Sequence, residues 1–236
     1  MALALLQLEV VRGPSKLAGI GNALEILPTA DTGREGVYPG QAIIVTTAAR
    51  RLIEMSKASE KLEAIAVTGT IDPLAHRDFR EITENLKELG KKWYPKVPLC
   101  LVASMLNLQN SDARHACATY ERMLVRIDAG TQKVFSQLHG SKAKALKDCI
   151  EQLAAVEHPR LVVQACLSQG DIDNVTDAEQ RAWLAILARV RPAQVQLAVP
   201  AKGTKGRKAP AKSKLDEIAA KVTEKTGAPI QWIGEL

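Results

Sequence analysis

Residues 160–200 read RLVVQACLSQGDIDNVTDAEQRAWLAILARVRPAQVQLAVP. The run 161–167 is apolar and rich in branched residues, a strand pattern. An acidic, glycine-containing turn follows, and Thr176 then stands three residues before Glu179, the capping-box spacing that opens a helix. From 178 to 190 the apolar residues recur at helical period, and 194–199 is a second strand-like run. Strand, helix and strand in succession is the signature of parallel α/β architecture.

The same alternation extends in both directions. Strands are predicted at 24–27, 64–68, 99–103, 123–127 and 229–233, and helices at 41–55, 79–89, 112–120, 142–156 and 215–226. Ser111 and Asp112 can cap one helix, and Gly227 with Pro229 ends the last. Five or six such units suit either an open doubly wound sheet or a partial (β/α) barrel. In both, ligand chemistry gathers at the carboxyl ends of the strands.

The 236 residues are 46% hydrophobic and 25% charged, which are globular values. A chain of this length can hold one core without disulfides or metal, so residues 1–236 are expected to form a single domain. No apolar run approaches the roughly 20 residues of a membrane span, so no membrane partner is expected. Residues 1–11 are apolar, but no basic residue precedes them and no Ala-x-Ala site follows, so they read as a starting strand rather than a secretory signal. Cys100, Cys117, Cys149 and Cys166 are spaced by 17, 32 and 17 residues, which fits neither a disulfide framework nor a metal knuckle. Reduced, buried thiols in a cytoplasmic protein are the expectation.

One segment breaks the alternation. Residues 200–213, PAKGTKGRKAPAKS, have no apolar periodicity and are expected to form a solvated, flexible basic loop over 200–214. Lys202, Lys205, Arg207, Lys208, Lys212 and Lys214 supply six positive charges, equal to the formal net charge of +6. Such a cluster is a candidate docking site for an acidic partner, protein or nucleic acid.

Four stretches together resemble the radical S-adenosylmethionine enzymes, in particular a small, stand-alone branch. They are 12–28 (RGPSKLAGIGNALEILP), 67–86 (VTGTIDPLAHRDFREITENL), 122–140 (RMLVRIDAGTQKVFSQLHG) and the opening stretch 160–200, and they occur in family order. The resemblance implies a partial (β/α) barrel, TIM-barrel-like with about six parallel strands, and a cofactor site across the strand ends. It also implies a Cys-x-x-x-Cys-x-x-Cys loop after the first strand, whose thiolates hold a four-iron cluster.

The corresponding stretch here, residues 28–40, reads PTADTGREGVYPG and contains no cysteine; only Asp31, Glu35 and Tyr38 offer oxygen ligands. The family's Gly-Glu-Pro-like segment aligns with Thr70-Ile71-Asp72-Pro73, and its Asn-Gly-like turn with Ala103-Ser104-Met105-Leu106. Apolar Ile71 and Met105 stand there where polar contacts are expected, while Asp72 can partly replace the carboxylate. By contrast Asp128-Ala129-Gly130 and Gly170-Asp171-Ile172-Asp173-Asn174 resemble the family closely. The implied residual cofactor pocket is therefore Asp72, Asp128, Gly130, Gly170, Asp173 and Asn174. Neither the cluster nor S-adenosylmethionine is expected to be retained.

Other chemistry finds less support. The four histidines, 76, 115, 139 and 158, show no paired ligand spacing, and caps and turns explain Asp31, Asp72, Asp128, Asp171 and Asp173 as simply as a hard cation does, so no metal site is assigned. Ser104 and Ser168 lack a nucleophile elbow, Gly19 and Gly21 precede a strand rather than open a helix, and the aromatics are too scattered for a base-stacking platform. Three functional classes compete. The first is a non-catalytic binding or assembly protein, working beside an active paralogue or within a larger assembly. The others are a cluster-independent enzyme taking a nucleotide-like small molecule at the strand ends, and a nucleic-acid-associated protein using the basic loop.

Overall fold

The computed structural model describes residues 10–15, 20–29, 36–69, 71–140 and 145–233. The chain divides into two compact units, Met1–Met123 and Leu124–Leu236. No described helix is long and apolar enough to cross a membrane.

In the first unit β1 (Val10–Ser15) pairs antiparallel with β2 (Ile20–Ile26). Of the predicted starting strand, residues 10 and 11 lie in β1, and residues 1–9 fall outside the described residues. Chain order then gives α1 (Gln41–Lys57), β3 (Ala64–Val67), α2 (Phe79–Trp93), β4 (Leu99–Ala103) and α3 (Ser111–Cys117), with β2, β3 and β4 parallel. α1 buries Ile44, Ala48, Leu52 and Met55, and α2 buries Phe79, Ile82, Thr83, Leu86 and Gly90, one stripe each at helical spacing. Each fully buried large side chain contributes about 1.5–3 kcal/mol of transfer free energy. Gly90 permits close approach to the sheet: a Cβ there would stand 3.4 Å from Ile65 Cδ1. One face of the three strands is small, with Ala23, Ala64, Ala66 and Cys100 in one buried cluster.

β5 (Arg122–Arg126) begins beside β4, where the Glu121 N–H donates to Leu99 O at 2.9 Å and the Leu99 N–H donates to the Glu121 carboxylate at 2.7 Å. In the second unit follow α4 (Gln132–His139), α5 (Leu146–Ala154), β6 (Leu161–Cys166), β7 (Gln169–Gly170), α6 (Asp177–Val190), β8 (Gln194–Ala198), β9 (Arg207–Lys208), α7 (Lys212–Thr226) and β10 (Ile230–Ile233). β6, β8 and β10 are parallel neighbours, and Ile127 N–H donates to Gln164 O on β6 at 2.9 Å. β7 and β9 form a separate two-stranded antiparallel pair.

Among the described residues, seven parallel strands and seven α-helices place the chain in the α/β class, of the partial (β/α)-barrel type. The strand count is one above the expected six. The opening stretch is a strand–helix–strand unit as read, β6–α6–β8, with Thr176 Oγ1 accepting the Glu179 N–H at the start of α6. Asn110, rather than Ser111 or Asp112, caps α3, residues 142–144 of the predicted 142–156 helix fall outside the described residues, and two further helices differ from the reading. α4 is an additional helix, capped by Thr131, that the short 132–139 run did not announce. α7 starts at Lys212, three residues before the predicted start, so Lys212 and Lys214 are helical rather than loop residues.

Candidate functional site

The carboxyl ends of the strands carry the polar side chains, and each unit is described by itself. In the first unit the loop after β3 holds Asp72. Its Oδ1 accepts from the backbone N–H groups of Leu74 and Ser104, each at 3.2 Å, and its Oδ2 accepts from Asn107 Nδ2 at 2.6 Å. The carboxylate thereby ties the turn after β3 to the turn after β4. Ser104 Oγ in turn accepts the Leu106 N–H at 3.2 Å. Thr29, after β2, donates its hydroxyl to Ile71 O at 2.6 Å, and Gly69 is required between them because a Cβ there would lie 2.7 Å from that same carbonyl oxygen. Thr68 sits at the end of β3, fully buried, and its hydroxyl has no hydrogen-bond partner among the described residues.

Of residues 28–40, positions 30–35, which include Asp31 and Glu35, fall outside the described residues, as does Thr70. The end of that stretch is pinned by His76. This buried imidazole accepts the Asp78 N–H at Nδ1, 3.0 Å, so Nε2 carries the proton donated to Pro39 O at 2.9 Å. Tyr38 lies beside it, ring centroids 5.9 Å apart. Val37 and Ile43, on either side of that anchored turn, are exposed.

The second unit has a denser arrangement. Asp128, whose side chain is 8% exposed, accepts the Cys166 N–H at 2.7 Å through Oδ1 and pairs with Arg126 Nε at 2.5 Å through Oδ2. Asn174 is buried and uses its whole amide: Oδ1 accepts the Ser168 N–H at 2.8 Å, while Nδ2 donates to Asp128 O at 2.7 Å and Cys166 O at 2.8 Å. Asp173 Oδ1 accepts the Val175 N–H at 3.1 Å, an Asx turn leading into α6. Ser168 Oγ donates to Ile172 O at 2.9 Å. Gly130 meets α6 so closely that a Cβ would fall 2.3 Å from Glu179 O. Gly170 has φ +118°, and a Cβ there would lie 2.5 Å from Gly206 O. Asp128, Asn174 and their neighbours thus form one connected set, Asp173 borders it, and Gly130 and Gly170 are sites of close backbone approach.

Sequence reading passed over two members. Glu179 is buried, and its carboxylate accepts from the Gly130 N–H at 2.8 Å, the Thr131 N–H at 3.2 Å and the Thr131 hydroxyl. The capping-box spacing concealed this role, since it assigns the glutamate to its own helix start. Arg207, placed by sequence in the solvated loop, is half-buried in β9 and donates to Ser168 Oγ at 3.1 Å and to Cys166 O at 3.2 Å. Lys214 pairs with Asp177 and Glu217 at 3.4 and 3.2 Å. Lys202, Lys205, Lys208 and Lys212 are exposed.

No protein-family model and no curated protein sequence matches the chain. Solved structures do. A domain of pyruvate-formate lyase-activating enzyme from Bacteroides vulgatus matches with TM-score 0.57 at 14% identity, covering 72% of this chain and 99% of that one. A radical SAM methyltransferase from Sphaerobacter thermophilus matches with TM-score 0.52 at 12% identity, over 83% of this chain and 57% of its own. SuiB from Streptococcus suis, bound to precursor peptide SuiA, matches with TM-score 0.59 at 11% identity, over 98% of this chain and 47% of its own. The chain has the radical SAM enzyme fold.

Against that fold the thiols can be weighed as cluster ligands. Residues 28–40 contain none, Cys100 and Cys117 belong to the first unit, and Cys149 and Cys166 to the second, so neither unit supplies three. Among the described residues no group of three or more His, Cys, Asp or Glu side chains is placed to hold a metal ion. Cluster ligation needs thiolates. Burial pushes the Cys100 thiol up to about 11 and the Cys117 thiol up to about 12, and burial next to the Asp128 charge raises Cys166. The donor set does not fit a three-thiolate cluster.

Proposed function

We propose that this protein is a non-catalytic binding or assembly partner built on the radical SAM fold, a pseudoenzyme that has lost the cluster site. The observation that carries the reading is the cysteine-free stretch 28–40, where the fold's enzymes hold their cluster, in a chain whose four thiols sit elsewhere, with burial raising those of Cys100, Cys117 and Cys166. Without thiolate ligands there is no open iron to bind the cofactor and no electron donor for its reductive cleavage.

The residual-pocket residues support the same reading. The carboxylate oxygens of Asp72 and Asp128 accept from Leu74, Ser104, Asn107, Cys166 and Arg126, and the amide of Asn174 is fully used by Ser168, Asp128 and Cys166. Groups that hold loops in this way fix the strand-end turns. A polypeptide partner is supported by the complex of SuiB with its precursor peptide SuiA, in which a protein of this fold binds a polypeptide. Exposed Lys202, Lys205, Lys208 and Lys212 would draw an acidic surface toward the second unit. Cytoplasmic residence follows from the reduced thiols the reading requires.

Calorimetric titration with S-adenosylmethionine tests the reading. An unpaired buried ammonium or carboxylate costs several kcal/mol, and Ile71 and Met105 stand where the methionine end would need partners, so no saturable heat is expected. Micromolar binding would overturn the pseudoenzyme and restore a strand-end enzyme.

A further inference from the structure

The segment between β8 and α7 reaches back to the carboxyl end of β6. Residues 201–209, AKGTKGRKA, run between Pro200 and Pro210, whose rings fix φ at both ends. Pro210 is buried and Pro200 half-buried, whereas of residues 201–209 all but Gly206 and Arg207 are exposed. The segment holds its own shape: Ala201 O accepts the Thr204 N–H at 3.1 Å and the Thr204 hydroxyl at 2.7 Å, and Thr204 O accepts the Arg207 N–H at 3.3 Å. It carries Lys202, Lys205, Arg207 and Lys208 and no acid, so its charges repel one another.

Its hold on the rest of the unit is narrow. The ladder β7–β9 pairs Gln169 with Lys208 and Gly170 with Arg207, and the Asp171 N–H donates to Gly206 O at 2.8 Å. Gln169, Gly170 and Asp171 are exposed, so water can take over these bonds. Among the described residues Arg207 alone sends side-chain hydrogen bonds out of the segment, to Ser168 Oγ at 3.1 Å and to Cys166 O at 3.2 Å. Both of those groups keep another partner without it. Cys166 O also accepts from Asn174 Nδ2 at 2.8 Å, and Ser168 Oγ also donates to Ile172 O at 2.9 Å. Lifting the segment therefore leaves both bonded, and the usual penalty for stranding a buried polar group does not arise. The closed form is nonetheless specified: Gly170 and Gly206 have φ +118° and +71°, and a Cβ on Gly170 would lie 2.5 Å from Gly206 O. Few buried contacts and exposed backbone bonds are the marks of a region that opens below the global unfolding free energy.

We propose that residues 201–209 form a strap, latched by Arg207, that opens as one body between Pro200 and Pro210 while the rest of the second unit stays folded. Closed, the strap covers the end of β6; open, it uncovers Cys166. Strap opening does not depend on whether a cluster or a partner binds.

Cys166 reports on the strap, because it is half-buried at the latch while Cys149 is buried elsewhere in the same unit. The full chain is labelled with iodoacetamide in a urea series and the modified cysteines are read by mass spectrometry, with hydrogen exchange at the Asp171 N–H followed in parallel. Below the unfolding transition both Cys166 labelling and Asp171 exchange should be independent of urea, because a local opening exposes little surface, whereas Cys149 should follow global unfolding. Arg207→Ala should raise both Cys166 labelling and Asp171 exchange about tenfold, with Cys149 unchanged. The sign separates a latch from a charge effect. Burial raises the Cys166 thiol and the Arg207 charge works against that rise, so loss of the charge alone would slow labelling by the thiolate. Gly170→Ala, which keeps Arg207 but obstructs closure, should raise both rates as well. Wild-type Cys166 labelling that rises with urea in step with Cys149, or equal or slower labelling in Arg207→Ala and Gly170→Ala, would overturn the strap. The urea series uses the unmodified chain, so it can overturn the strap even where neither variant folds.

Discussion

The strand ends of the two units solve one problem with different completeness. In the second unit Asp128, Ser168, Asn174, Glu179 and Arg207 form a bonded set that joins the ends of β5 and β6 to the start of α6 and to β9. In the first unit a single carboxylate, Asp72, does most of the joining, a neighbouring threonine hydroxyl is buried without a partner, and the turn before α1 exposes Val37 and Ile43. Residues 128–130 and 170–174, which sequence reading likened most closely to the radical SAM enzymes, lie in the second unit, and the cysteine-free stretch 28–40 lies in the first.

Substitutions can break this contrast. The largest effect is expected from Asn174→Ala, which takes their Asn174 partner from the buried Ser168 N–H and Asp128 carbonyl and leaves the Cys166 carbonyl to Arg207. A loss of about 3 kcal/mol in urea unfolding is expected, at about 1–3 kcal/mol per unsatisfied buried group with partial rehydration. A loss near zero would show that the set is ornamental to stability. Ser168→Ala removes the donor to Ile172 O and the acceptor for Arg207 and should cost about 1–2 kcal/mol. In the first unit the sign reverses: Thr68→Val replaces an unpartnered hydroxyl by an isosteric methyl and should stabilise by about 0.5–1 kcal/mol. Destabilisation by Thr68→Val would mean the hydroxyl is satisfied, and the two units would then be alike.

The fold was legible because its signal is repeated. The β6–α6–β8 unit follows directly from apolar period and the Thr176 cap, and the same reading gave the strand and helix order of the rest. α4 escaped because eight residues hold barely two turns of period, and Lys212 and Lys214 escaped because a charged first turn looks like loop. At the site, Asp72, Asp128 and Asn174 were legible as residues but not as bonds, since spacing along a chain cannot say which backbone a carboxylate will meet. Glu179 reaches Gly130 across 49 positions of sequence and Arg207 reaches Ser168 across 39, and no local pattern encodes either partner.

The missing thiolates are tested most directly by anaerobic reconstitution with iron and sulfide, followed by iron and acid-labile sulfide analysis and visible absorption. Residues 28–40 offer no thiol, and burial disfavours the thiolates of Cys100 and Cys117, so the desalted protein should be colourless and retain only trace iron. Stoichiometric iron and sulfide with a broad visible absorption would contradict the pseudoenzyme outright, and would require cluster ligands that this sequence does not place in that loop.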